Sequence, residues 1–154
     1  MTIVVTAPEQ WSMPAVLRLY LAGAIDLGCA PDWQGEVIRA LGDLPGLVVL
    51  NPRRATFDPS RLDEQIRWEL DALAAADLIL LWLPATASAP VSLLEAGLYM
   101  SSGKLVVGVE PAYQRRRNVE LTGQRYGVPM YGTLDALIQH AVAAYRSQVN
   151  HAGA

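Results

Sequence analysis

Short apolar runs alternate with stretches of helical periodicity along most of the chain. Leu17 to Ala22 is an apolar run closed by Gly23, Leu47 to Leu50 a second closed by Asn51 and Pro52, and Asp77 to Leu83 a third. Leu105 to Val109 is a fourth, and Val128 to Tyr131 supplies a short fifth. Apolar runs of this length, bounded by turn residues, predict buried strands. Between them the apolar positions recur at helical spacing. Asp32 stands as an N-cap before Trp33, Val37, Ile38 and Leu41, with a stop at Gly42. Ser60 or Asp63 opens a second helix, with Ile66, Leu70, Leu73 and Ala74 as its apolar stripe. Val91 to Ser101 gives a third helix, ending near Gly103, and Leu134 to Val149 a final one. Residues 1–16, which include Pro8 and Pro14, read as an extended arm. Arg53 to Pro59 reads as a loop, and Tyr113 to Tyr126 as a polar, basic segment.

This alternation implies an α/β fold with a parallel sheet covered by helices on both faces. The expected architecture is a single flavodoxin-like, Rossmann-like domain over residues 1–154, with five parallel strands ordered 2-1-3-4-5. Ligands in such sheets bind beyond the carboxyl ends of the strands, near the point where strand order reverses. Three loops should converge there: Tyr20 to Asp26, Asn51 to Phe57, and Pro84 to Ser92.

Composition narrows the chemistry. Apolar residues make up 52% of the 154 and charged residues 18%, enough to bury a core. A net charge of −3 argues against a nucleic-acid surface. One cysteine, Cys29, excludes an internal disulfide and a cysteine-built zinc site, and two histidines near the C-terminus, His140 and His151, give little material for a histidine metal site or triad. No metal and no cofactor are therefore expected. No apolar stretch reaches the ~18 residues of a membrane span. The first residues lack the features of a signal peptide, so a cytoplasmic protein is expected.

Several residues at the strand ends carry candidate chemistry, each with a plainer structural reading beside it. Gly23 to Asp26 follows a strand but matches neither the GxGxxG pattern nor a P-loop. Gly23 either lets a ligand approach the backbone or serves only the turn. Tyr20 is either a phenol hydroxyl in the cleft, beside a carboxylate, or a packed core tyrosine. Glu69 borders a buried stripe, where an acid needs a partner or a shifted pKa; the alternative is a solvated helix edge. Asp77, at the start of a strand, reads as a turn or capping residue, although it is retained among the substrate-site candidates. Glu95 lies among Leu93, Leu94, Ala96 and Leu98 in the first turns of a helix, where the macrodipole favours an anion. A carboxylate so placed can attack an anomeric carbon, or it is an ordinary helix glutamate. Arg53 and Arg54, and the run Arg115 to Arg117, are candidates to bind an anion or are solvated loop residues. Trp33, Trp68 and Trp82 are candidates to stack on a base or to fill the core.

Taken together, these segments resemble a known family. Tyr20-Leu21-Ala22-Gly23-Ala24-Ile25, Asp32-Trp33-Gln34, Asn51-Pro52-Arg53-Arg54, Gln65-Ile66-Arg67-Trp68-Glu69, Ala76-Asp77-Leu78-Ile79, Trp82-Leu83-Pro84, Leu93-Leu94-Glu95-Ala96-Gly97 and Gly103-Lys104 occur in that order over roughly residues 17–131. In order and spacing they are similar to the nucleoside 2-deoxyribosyltransferase-like family, whose superfamily includes nucleoside monophosphate N-glycosidases. The resemblance implies that Glu95 is the nucleophile at C1′ and that Tyr20 holds it. It implies that Glu69 protonates the leaving base and Gly23 faces the nucleoside. Asn118 resembles an asparagine contributed by a neighbouring subunit, which implies a homodimer or larger homo-oligomer. The transferases carry an acid six positions before the nucleophile, where this chain has Ala89. The monophosphate hydrolases tend to have serine there, and Ser88 and Ser92 lie close by. Loss of that acid removes repulsion toward a 5′-phosphate, which a serine and an arginine such as Arg53 could bind. The implied activity is cleavage of an N-glycosidic bond in a small-molecule nucleoside or nucleotide, with transfer of the sugar to another base. The alternatives are hydrolysis of a nucleoside 5′-monophosphate and a non-catalytic nucleotide-binding module.

Overall fold

The computed structural model describes residues 1–152. All five expected strands form, and a sixth joins them. β1 (Ile3–Thr6), β2 (Leu17–Gly23), β3 (Leu47–Asn51), β4 (Leu78–Leu83), β5 (Leu105–Val109) and β6 (Met130–Tyr131) make one parallel sheet in the order β1-β3-β2-β4-β5-β6. The expected order 2-1-3-4-5 is the β3-β2-β4-β5-β6 portion of it. The additional strand comes from the N-terminal arm. Its β-branched sequence Ile-Val-Val-Thr pairs Ile3 with Val48 and Thr6 with Asn51, covering the β3 edge. Beyond it the arm is pinned by Trp68, whose indole N–H donates to the Glu9 carbonyl at 2.8 Å and whose ring meets Trp11 edge-on at 5.2 Å.

Four α-helices connect the strands from β2 onward, α1 (Trp33–Leu41), α2 (Leu62–Ala75), α3 (Pro90–Tyr99) and α4 (Arg116–Tyr126), and α5 (Leu134–Ala152) follows β6. Asp32 caps α1 as expected, accepting from the Gly35 N–H at 3.0 Å. The polar segment after Tyr113 is largely helical rather than irregular. Its arginines are held along α4, with Arg116 and Arg117 both paired to Glu120 one turn on.

Strand alternation sorts the core into two layers. Leu17, Leu19, Leu21, Leu78, Leu80 and Trp82 pack with α1 and α5 on one face. Tyr20, Ala22, Ile79, Leu81 and Leu83 pack with α2, α3 and α4 on the other. Side chains two apart along a strand share a face, so Tyr20 is directed toward α2 and α3, and the small Ala22 after it leaves room at the carboxyl end of β2. Helix α2 is rotated relative to the expected stripe. Trp68, Ala72 and Leu73 are buried, while Ile66 and Leu70 are exposed. Burying the large Trp68 ring turns Gln65 and Glu69 toward the sheet and carries Ile66 and Leu70 outward.

Candidate active site

Strand order reverses between β2 and β4, and a cavity of about 540 Å³ opens at the carboxyl ends of β2 and β3 and at the start of α3. That volume suits a nucleoside-sized ligand. Tyr20, Gly23, Arg53, Glu69, Ala89, Ser92 and Glu95 all line it. Much of the remaining wall is apolar, with Ile25, Phe57, Leu62, Ile66 and Val91 around the mouth.

Tyr20, Glu69 and Glu95 form the titratable centre. Glu95 is only 8% exposed. Burial pushes its carboxyl up to about 8, and the charge of Glu69 adds to the rise, while the Tyr20 hydroxyl beside it pulls the other way. Burial also raises Glu69, opposed by its hydrogen bond from Gln65 and by the Arg54 charge. Tyr20 is held well above its ordinary value, first by burial and then by the charges of Glu95 and Glu69. It therefore remains a neutral phenol with a proton to donate. With Glu95 raised to about 8, the pair retains one proton into the neutral range.

A polar relay supports Glu69 from behind. The Gln65 amide donates to Glu69 Oε1 at 2.8 Å and to the Pro52 carbonyl at 2.7 Å. Arg54 donates through Nε to Gln65 Oε1 and pairs with Glu64 at 2.7 Å. Gln65 and Glu69 are four residues apart, so one face of α2 carries both.

Other expected site residues fall differently. Arg53 lines the cavity, but its guanidinium donates to the carbonyls of Gly28, Ala30 and Pro31 and to Gln34 Oε1. It clamps the loop after β2. Gly23, at φ +142°, lines the cavity too, yet a Cβ there would lie 2.4 Å from the Trp82 carbonyl oxygen and 2.7 Å from the Trp33 ring. Packing within the protein, with the left-handed backbone, already requires glycine. Asp77, expected at the substrate site, lies away from it. It sits before β4, at the amino ends of the strands and opposite the cavity, where its carboxylate accepts from the Arg18 N–H at 2.7 Å. Ser88 is exposed and outside the cavity lining, and its carbonyl accepts from the Tyr113 hydroxyl at 2.9 Å. Asn118 lines a separate groove between α3 and α4, with Leu93, Ala96 and Met100. Trp33, Trp68 and Trp82 are core residues.

Gln65 and Asp26 also line the cavity, and neither is a site candidate on sequence alone. Gln65 was detectable as the helical i−4 neighbour of Glu69. Asp26 had no such signal. Its Oδ1 accepts from the Ala89 N–H at 3.3 Å, a contact 63 residues apart in the chain. Among the described residues, no group of three or more His, Cys, Asp or Glu is placed to hold a metal, and no helix is long and apolar enough to cross a membrane.

Residues 16–113, more than half of the chain, match the family described as nucleoside 2-deoxyribosyltransferase like. The chain belongs to that family. The matched region contains Tyr20, Glu69 and Glu95 and ends before Asn118. A solved structure, the crystal structure of a conserved protein from Enterococcus faecalis V583, is similar at a TM-score of 0.54 and 11% identity, covering 81% of this chain and 96% of that one. At that identity the likeness shows the α/β fold alone. No curated protein matches the sequence.

The raised Glu95 carboxyl has a measurable consequence. The unfolded chain loses this proton near 4.5 and the folded chain near 8, so ionising Glu95 weakens the fold progressively as pH rises through that window. Replacing Glu95→Gln removes the effect. The melting temperature of the variant should exceed that of the parent by a margin that grows from pH 4.5 to 8 and then levels, reaching at least about 5 °C, or ~2 kcal/mol. A margin independent of pH, measured by calorimetry, would contradict the raised pKa.

Proposed function

We propose that this protein cleaves the N-glycosidic bond of a nucleoside or nucleotide through a covalent glycosyl ester on Glu95, and transfers the (deoxy)ribosyl group to a second base. The observation that carries this reading is the buried Glu95 and the half-buried Glu69 together beside the Tyr20 phenol, in a nucleoside-sized cavity of a chain from this family.

The reaction uses the proton that the pair retains. At neutral pH the raised Glu95 carboxyl holds the proton in the resting pair; the productive form is the one with Glu95 ionised and Glu69 protonated, which the Tyr20 hydroxyl favours by its hydrogen bond to the Glu95 carboxylate. A Glu95 oxygen attacks C1′ while the C1′–N bond breaks, its electron pair leaving with the base. Positive charge builds on the sugar in an oxocarbenium-like state, which the buried Glu95 carboxylate stabilises. Glu69 gives its proton to the departing base. The Tyr20 hydroxyl orients Glu95 and, by hydrogen bonding, favours its anionic form. The second base then attacks C1′ with Glu69 taking its proton, and the Glu95–C1′ bond breaks. The apolar side chains at the mouth, Phe57, Leu62, Ile66 and Val91, are exposed; transfer over hydrolysis requires that they be covered when substrate is bound.

The same reading includes a homo-oligomer. Its support is the placement of Asn118 away from the cavity of its own chain, and two exposed apolar rows close to the cavity mouth. Leu62, Ile66 and Leu70 run along α2, and Val91, Leu94 and Leu98 along α3. A second copy would cover both rows and bring its Asn118 to the sugar.

Two experiments test this. The protein incubated with deoxynucleosides and nucleoside monophosphates, with and without a second free base, should yield exchanged nucleosides by chromatography. Glu95→Ala should slow the exchange about 10³-fold or more. Free base without exchange would replace transfer by hydrolysis, and an unaffected Glu95→Ala enzyme would remove the nucleophile. Glu95→Ala and Asn118→Ala are each expected to be inactive alone. Co-expressed, they should recover about a quarter of parental activity through mixed dimers with one intact site. No recovery would place each site within a single chain.

A further inference from the structure

The loop after β2 brings a third carboxylate into the cavity, and its position bears on the substrate. Asp26 and Leu27 are consecutive left-handed residues, at φ +47° and +56°, and this unusual pair sends the Asp26 side chain across to α3. There Oδ1 accepts from the N–H of Ala89, itself left-handed at φ +49° and immediately before the first residue of α3. A helix start ordinarily attracts anionic groups. Here the chain's own carboxylate occupies the place.

The geometry along α3 gives this carboxylate a defined relation to Glu95. Ala89, Ser92 and Glu95 are three residues apart, lie nearly on one face, and all line the cavity; no residue of α3 beyond Glu95 does. A furanosyl ring with C1′ at Glu95 spans about one helical turn, ~5 Å. With the base toward Glu69 on α2, as in the reaction proposed above, the 5′ substituent would extend along α3 toward Ser92, Ala89 and Asp26. Cationic groups that would welcome a phosphate there are already engaged. Among the described residues, the arginines lining the cavity are Arg53, Arg54 and Arg61. Arg53 holds loop carbonyls and Gln34, Arg54 holds Gln65 and Glu64, and Arg61 pairs with Glu64 at 2.9 Å.

We propose that Asp26 determines substrate class: its carboxylate accepts a hydrogen bond from the 5′-hydroxyl of an unphosphorylated nucleoside and repels a nucleoside 5′-monophosphate. This rests on the reading that the cavity holds a nucleoside with C1′ at Glu95. Ala89 contributes no side-chain acid, but its backbone N–H anchors one supplied by another loop. One Asp26 oxygen meets that N–H, and a carboxylate retains lone pairs for a hydroxyl donor. The same negative charge, with each cavity-lining arginine of the described residues already paired to another group, disfavours a phosphate dianion.

The test compares three ligands sharing one base: the 2′-deoxynucleoside, its 5′-monophosphate and the 2′,5′-dideoxynucleoside. Binding is measured by calorimetry on the Glu95→Gln protein with and without Asp26→Asn, and turnover on the parent and on Asp26→Asn. Thermal melts verify that each variant is folded. With Asp26 present, the nucleoside should bind at least about 100-fold more tightly than the monophosphate and ~10-fold more tightly than the 5′-deoxy compound. Asp26→Asn should shrink the first ratio at least tenfold and leave little of the second. In turnover the change should appear mainly in KM for the nucleoside. Asp26→Ser, which removes the charge but keeps a small polar group, should relax the monophosphate ratio likewise.

Ratios unchanged in folded Asp26 variants, or a parent that prefers the monophosphate, would overturn the proposal even if base exchange is observed. Binding ratios that follow Asp26 in a protein that exchanges and releases no base would support the proposal while sinking the catalytic reading. Failure of all three ligands to bind would overturn both.

Discussion

Two carboxyl groups that cannot both ionise comfortably in one buried place constrain much of this structure. Glu69 and Glu95 come from different helices and meet beside Tyr20, whose strand lies beneath both. Desolvation raises both acids, and the charge of one raises the other. Such a cluster persists only because the surrounding fold is well determined. The sheet places Tyr20 by strand alternation, and the small Ala22 after it leaves space for the cavity. Trp68 sets the rotation of α2, so that Gln65 and Glu69 turn inward. Arg54 and Gln65 then temper Glu69 through hydrogen bonds and charge.

The loops around this centre are organised by the protein's own contacts. Arg53 ties down the loop after β2, Gly23 permits the close approach of Trp82 and Trp33, and Asp26 bridges to the start of α3. These residues line the cavity, so the features that shape the site also stabilise it. Tying loops down with hydrogen bonds near a reactive centre is one way to fix geometry before a ligand arrives.

Much of this was legible in the sequence because it rests on local periodicity. The buried strands, the α1 cap at Asp32 and the final helix follow from patterns of two and of three to four residues. Tyr20, Glu69 and Glu95 stood out as polar groups at strand ends or against apolar stripes. What escaped depended on long-range contacts. The first strand is four residues of an arm that becomes regular only by pairing with β3. Periodicity alone favoured Ile66 and Leu70 as the inner face of α2, whereas the bulk of Trp68 and its contacts with the arm decide the rotation. Asp77 shares a short spacing with Glu69, but helix and strand carry the two to opposite ends of the sheet. The role of Asp26 required knowing that two loops 63 residues apart meet.

The central claim is that Glu95 forms a bond to C1′ of the sugar. Its most direct test is mass spectrometry of the protein quenched with acid after mixing with a 2′-deoxy-2′-fluoronucleoside, whose electron-withdrawing fluorine disfavours the oxocarbenium-like state and slows release of the ester. The account predicts one added glycosyl mass per chain, located by peptide mapping on Glu95 and abolished by Glu95→Gln. Base release from the parent with the adduct on another residue, or with no adduct under conditions where the ester would accumulate, would contradict it.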